Sequence, residues 1–287
     1  LLVIISKRIL ILKNSYSPPP FFLNNFSTTI ITATINQSLE AVMNTKYKVL
    51  NRDVIKYIAM LTMLLNHIST IFMESGSFLS EFFLDIGYFT AITMCYFLVE
   101  GYQYTHSKKA YAIRLLLFAL ISEVPYCLAF TQDGIIGFEG LNMMFTLLIC
   151  FGILVVFERT SNKGLRFTYA LFSIILSLFC SWAILAPIFT LLFIWSKGSD
   201  KKIKLSFIIA MLLFAAFNLA GGIGRFSVTT NILYALGSMV GTGLSGIVIA
   251  YLYNGKRMEN GRAFSKWFFY WFYPAHLLIL GLIRIFM

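Results

Sequence analysis

Five ionisable residues, His67, Glu100, Arg114, Glu123 and His276, sit inside or at the edge of long apolar runs. Even the mildest insertion scales put the cost of a charge in hydrocarbon at roughly 2.5–3.5 kcal/mol, so such groups turn to a cavity or to one another. They define the candidate site. The two imidazoles are the natural general bases, able to take a proton from an attacking amine or hydroxyl. His67 follows Asn66 in the outer half of the first apolar run, and His276 follows Tyr273 and Pro274 in the last.

Glu100 lies near the basic end of the second run, and could anchor a basic partner or orient an imidazole. Arg114 opens the third run and Glu123 lies nine residues on, about 13 Å of helix rise, so the two are not a same-turn ion pair. Glu123 lies too deep to snorkel, and Pro125 is expected to open the helix next to it. Asn142 adds a polar amide at the start of the fourth run. The segment from Leu219 to Arg225 is glycine-rich but lacks the Gly-Lys-Ser/Thr of a phosphate loop and reads as a turn.

These residues need a membrane scaffold. Hydrophobic residues make up 59% of the 287 residues and charged residues 12%, against roughly a quarter charged in a soluble domain. The chain therefore reads as an all-α integral membrane protein. Nine apolar runs near the ~20-residue spanning length fall at 54–73, 82–103, 110–130, 142–158, 167–180, 182–196, 204–220, 231–253 and 266–286. The predicted architecture is a polytopic bundle of about nine transmembrane helices, lying in residues 43–287. Residues 1–42, with Pro18, Pro19 and Pro20 and an Asn/Ser/Thr stretch, are expected to be a disordered or over-extended N-terminal segment.

The net charge of +11 is not a nucleic-acid signature. The Lys and Arg clusters recur between apolar runs: Lys46 to Lys56, Lys108 to Arg114, Arg159 to Arg166, Lys197 to Lys204 and Lys256 to Lys266. Glu74, Glu81, Asp133 and Glu139 occupy the alternate loops. The positive-inside rule then predicts an inner-membrane protein with a cytoplasmic N-terminus and an outer C-terminus. Four cysteines without CxxC spacing argue against a metal site and a disulfide framework.

Four segments taken in order resemble the TraX family: Lys56 to Ile68, Phe97 to Tyr102, Arg114 to Tyr126 and Phe269 to Leu277. The Arg114 to Tyr126 run is the most specific, and Tyr273-Pro274-Ala275-His276-Leu277 is nearly as specific. The resemblance implies a membrane acyltransferase, akin to the acyltransferase-3 and heparan-glucosaminide acetyltransferase group, that moves an acetyl group from acetyl-CoA or another acyl-CoA. The implied acceptor is an amine or hydroxyl of a membrane-associated or exported partner, such as a pilin N-terminus or a glycan. The family's Asp-His is Asn66-His67 here, and its Gly-Arg before an aromatic-Pro pair is replaced by Gly87-Tyr88-Phe89-Thr90.

On this reading His67, Glu123 and His276 are catalytic, with Glu123 or Glu100 orienting an imidazole. Arg114, Lys108 and Lys109 meet the phosphates of the donor, and Asn66, Glu100, Asn142 and Tyr273 bind the acceptor. Two other classes stay open, a proton-coupled transporter using the same buried Glu and His residues, and a catalytically silent membrane scaffold.

Overall fold

A computed structural model describes residues 47–287. The chain divides into Leu1–Tyr47 and Lys48–Met287, and the second unit is the subject below. The N-terminal segment expected at 1–42 lies outside the described residues.

The unit is all-helical: α1 (Arg52–Phe72), α2 (Phe78–Gly87), α3 (Phe89–Tyr104), α4 (Lys108–Phe130), α5 (Met143–Arg159), α6 (Lys163–Leu176), α7 (Leu185–Ser196), α8 (Asp200–Gly221), α9 (Val228–Ile247) and α10 (Arg262–Phe286). Among the described residues, pairing of extended backbone is limited to two isolated bridges, Leu50 with Tyr253 and Leu141 with Cys180. Helix starts are set by side-chain oxygens that accept an otherwise orphaned amide. Asn51, Ser77, Ser107, Asn142, Asn162, Ser199 and Ser227 all do so, as the first-turn geometry demands.

Six helical segments are long and apolar enough to cross a membrane: α1, α2 continued by α3, α4, α8, α9 with its terminal turn, and α10. The protein is thus a multi-pass membrane protein. The expected count of nine differs because the stretches at 142–158, 167–180 and 182–196 form helices of only 17, 14 and 12 residues. Helix α4 runs unbroken through Pro125, so the predicted opening there does not occur.

The apolar surface these helices leave exposed is extensive, from Leu116, Leu117 and Leu120 on α4 to Ile279, Leu282 and Ile283 on α10. That is the surface a bilayer covers. Inside, hydroxyl pairs join the helices: Thr62 to Thr90 at 3.0 Å, Thr93 to Ser245 at 2.7 Å and Ser69 to Ser80 at 2.8 Å. Glycines let backbones touch. A Cβ on Gly241 of α9 would run into the carbonyl of Asp85 and the amide of Phe89, the close approach that small residues provide in membranes.

The basic clusters gather at one end of the bundle. There Lys48 pairs with Asp200 at 3.8 Å, Lys108 with Glu158, and the Arg52 amide donates to the Lys256 carbonyl. At the other end Arg284 donates to the carbonyls of Leu128, Gly134 and Ile135, clamping the α4–α5 loop.

Candidate functional site

A cavity of about 860 Å³ runs beside α1, lined from Arg52 at the basic end to Thr70. Those eighteen residues of helix correspond to about 27 Å of rise. Its walls come from α1, α3, α4, α5 and α10, together with the turn at Ser181 and Trp182.

His67 lines this cavity, and its Nδ1 lies 2.9 Å from His276 Nε2, with the rings 10° from parallel. The partners assign the protons. His276 Nδ1 is 2.7 Å from the Phe272 carbonyl, which only accepts, so Nδ1 carries the hydrogen. In the neutral ring His276 Nε2 is then an acceptor, and His67 Nδ1 must donate to it. What remains is His67 Nε2 with a free lone pair. The edge of Phe130, 5.1 Å away at 88°, packs on the ring. The orienting group expected to be a carboxylate is therefore a second imidazole, itself anchored to backbone and 5% exposed.

Neither predicted glutamate reaches that pair. Glu123 Oε2 accepts from the Asn142 amide at 3.2 Å and from Asn142 Nδ2 at 2.6 Å, while Asn142 Oδ1 caps α5 through the Met144 amide. Glu123 and Asn142 thus form one buried bracket between α4 and α5, away from the cavity lining. Asn66 lines the cavity but turns its Nδ2 to the Leu84 carbonyl at 2.9 Å, linking α1 to α2. Tyr273 lines the cavity and accepts from the Met143 amide at 3.2 Å, which leaves its own O–H free to donate.

The basic end is built differently from the expectation. Arg114 is in the lining, but Lys108 and Lys109 are not; Lys108 is engaged with Glu158 at the surface. In their place stand Arg52, Lys56, Arg257 and Lys266. Both carboxylates of this end are already occupied. Asp53 accepts from the Met258 amide at 2.8 Å and from the Ser265 hydroxyl at 3.0 Å. Glu100 accepts from the Tyr253 hydroxyl at 2.8 and 3.0 Å and lies 3.6 Å from Arg52 Nε.

Tyr253 is aimed by a π-helical turn, Val248–Leu252, at the end of α9, a distortion common at functional sites. Burial, reinforced by the charge of Glu100, pushes its phenol up, so it stays a donor. The Nε atoms of Arg52 and Arg114 are buried without a hydrogen-bond partner among the described residues. Buried guanidinium donors left open beside an excess of cations are suited to a phosphate-bearing ligand.

Sequence reasoning read Arg52, Lys56, Arg257 and Lys266 only as loop charge. The signal available was their recurrence within one or two turns of a helix start. It did not reveal that the first and last helices converge there.

A family model described as "TraX protein" matches residues 51–284. The chain belongs to the TraX family. It is also 28% identical over 242 residues to a protein of Dichelobacter nodosus named probable fimbrial assembly protein FimC, serogroup H1, an alignment covering 81% of this chain and 95% of that one. No solved structure matches the chain. The matched span of this TraX chain includes α1 through nearly all of α10, and so holds every residue of the cavity described above.

Proposed function

We propose that this TraX protein is a membrane acyltransferase that moves an acyl group from acetyl-CoA, or another acyl-CoA, to an amine or hydroxyl of a membrane-associated or exported acceptor. The observation that carries the reading is the directional Phe272–His276–His67 chain, which leaves a lone pair in a cavity continuous with the basic end.

The residues divide the work. Arg52, Lys56, Arg114 and Arg257 hold the anionic head of the donor. From Arg52 to His67 is about 22 Å of helix rise, the stretch that a neutral thioester arm crosses. His67 Nε2 takes the acceptor proton as the nucleophile attacks the thioester carbonyl. The carbon–sulfur bond then breaks, and the imidazolium returns its proton to the departing thiolate. The Tyr273 hydroxyl is the candidate donor to the oxygen that gains charge, and His276 is a positioning residue because both its nitrogens are engaged. The basic end faces the cytoplasm, where acyl-CoA is found, which gives an inside N-terminus and an outside C-terminus with up to nine crossings if the three short helices count.

The printed name of the relative supports an acceptor belonging to surface-appendage assembly. The test is transfer of label from radioactive acetyl-CoA to membrane fractions, with wild type against His67→Ala. Label that depends on His67 supports the reading; its absence overturns it. A proton-coupled transporter is favoured by one observation, the length of the cavity, and is tested by pH-driven uptake without acyl transfer.

A further inference from the structure

The cavity walls divide by charge along α1. Every Arg, Lys, Asp and Glu in the lining, from Arg52 and Lys56 to Arg257 and Lys266, belongs to the basic half. Beyond Met63 the lining apart from His67 is neutral, with hydroxyls from Thr70 and Ser181 and rings from Tyr126, Phe130, Trp182 and Tyr273.

The two carboxylates nearest that half are turned away from it. Glu123 is held by Asn142, and Asp85 packs against Gly237 of α9, where an added Cβ would strike its Oδ2. Neither lines the cavity.

The neutral half is also built with care. Trp182 and Ile184 both take positive φ, 57° and 66°, a conformation that bulky residues hold only when the surroundings enforce it. Here Thr146 Oγ1 donates to the Ser181 carbonyl at 2.6 Å, Ser181 Oγ donates to the Tyr126 hydroxyl at 3.0 Å, and the Ile184 amide donates to Ser177 Oγ at 2.9 Å. The indole is thereby fixed in the wall.

An alkylammonium entering this half would lose water with no carboxylate to meet it, and rings alone attract a cation weakly. A hydroxyl loses only hydrogen bonds, and Thr70, Ser181, Asn66 and the tyrosines can supply replacements. A flat ring and nearby hydroxyls also fit a polyol that has one apolar face and a polar edge.

Resting on the acyl-transfer reading above, we infer that the acceptor presents an uncharged hydroxyl, as on a neutral sugar or polyol, so that the product is an ester. The step balances: His67 Nε2 takes the hydroxyl proton, the oxygen forms a bond to the acyl carbon, the carbon–sulfur bond breaks, and the thiolate leaves as the thiol.

The test supplies vesicles containing the wild-type chain with radiolabelled acetyl-CoA and two added acceptors of equal chain length, an alkyl glycoside and an alkylamine, at pH 7. Mild alkali or hydroxylamine then separates ester from amide, with protein-free vesicles as background. The expected result is alkali-labile label on the glycoside exceeding amide by at least about tenfold, the ratio equivalent to 1.4 kcal/mol. His67-dependent label that resists alkali would overturn the hydroxyl acceptor while sparing acyl transfer. No His67-dependent label on any acceptor would overturn both. A second variant, Thr70→Asp, adds a carboxylate to the neutral half and is expected to raise the amide share; an unchanged share would overturn the argument from charge.

Discussion

His276 Nε2 stands 2.9 Å from His67 Nδ1, and the Phe272 carbonyl at the far nitrogen gives the pair a direction. The first imidazole is held in one tautomer by the second. A carboxylate in the place of His276 would hold the same tautomer but would also attract a proton strongly, whereas a neutral ring does so with less charge in a dry site.

If His67 is the base, His67→Ala lowers acyl transfer by about 10²–10⁴-fold. His276→Ala lowers kcat with little change in KM for the donor, because it acts through His67. Since the reactive form is the unprotonated Nε2, the rate rises with pH and levels off once the ring is neutral. Steady-state kinetics across pH check this, and a rate that falls with rising pH would sink the assignment.

Arg114→Gln removes a charge-assisted donor and is expected to raise KM for acyl-CoA roughly 10- to 100-fold, with the loss growing at high salt. Lys108→Ala breaks only an exposed pair with Glu158, worth about 0–1 kcal/mol of stability, and is expected to leave KM unchanged. Donor titrations on the two variants separate the cavity cation from the surface one.

Asn142→Ala removes the cap of α5 and leaves the Glu123 carboxylate with a single backbone donor. Capping and a buried hydrogen bond to a charge together suggest a loss of about 2–5 kcal/mol. Thermal unfolding in detergent measures it. Glu123→Gln keeps an oxygen for the Asn142 donors and is expected to lose less stability and to retain transfer, which a catalytic Glu123 would not.

Gly241→Ala drives a methyl into the backbone of α2 and α3 at Asp85 and Phe89. Overpacking of this kind costs about 1–3 kcal/mol. Gly221→Ala meets open space and serves as the neutral comparison in the same melting experiment.

The membrane class and both imidazoles were legible in the sequence, because an apolar run and a histidine within it are local facts. Their meeting was not, since 209 positions separate them and only the packing of α1 beside α10 joins them. Glu123 was read as catalytic for a sound reason, a carboxylate at membrane depth, but the residue that satisfies it lies 19 positions away across a loop. Arg52 and Lys56 were hidden in the opposite sense. Charge near a helix start looks like orientation signal until the α9–α10 segment is seen hydrogen-bonded along residues 50–53, carrying Arg257 to the same mouth. The excess in span number arose because a 12-residue apolar helix, Leu185–Ser196, is indistinguishable by composition from part of a longer one.

The neutral half of the cavity has a consequence for permeability. A passage that follows nearly all of α1 threatens to short-circuit the potential across the membrane. Walls of Met, Phe, Trp and hydroxyl groups offer an inorganic ion no countercharge and a poor substitute for its hydration shell, so ion entry there is opposed electrostatically without a moving part. An uncharged acyl group meets no such barrier. The same lining that would choose an acceptor would therefore keep the bilayer electrically sealed while the reaction runs.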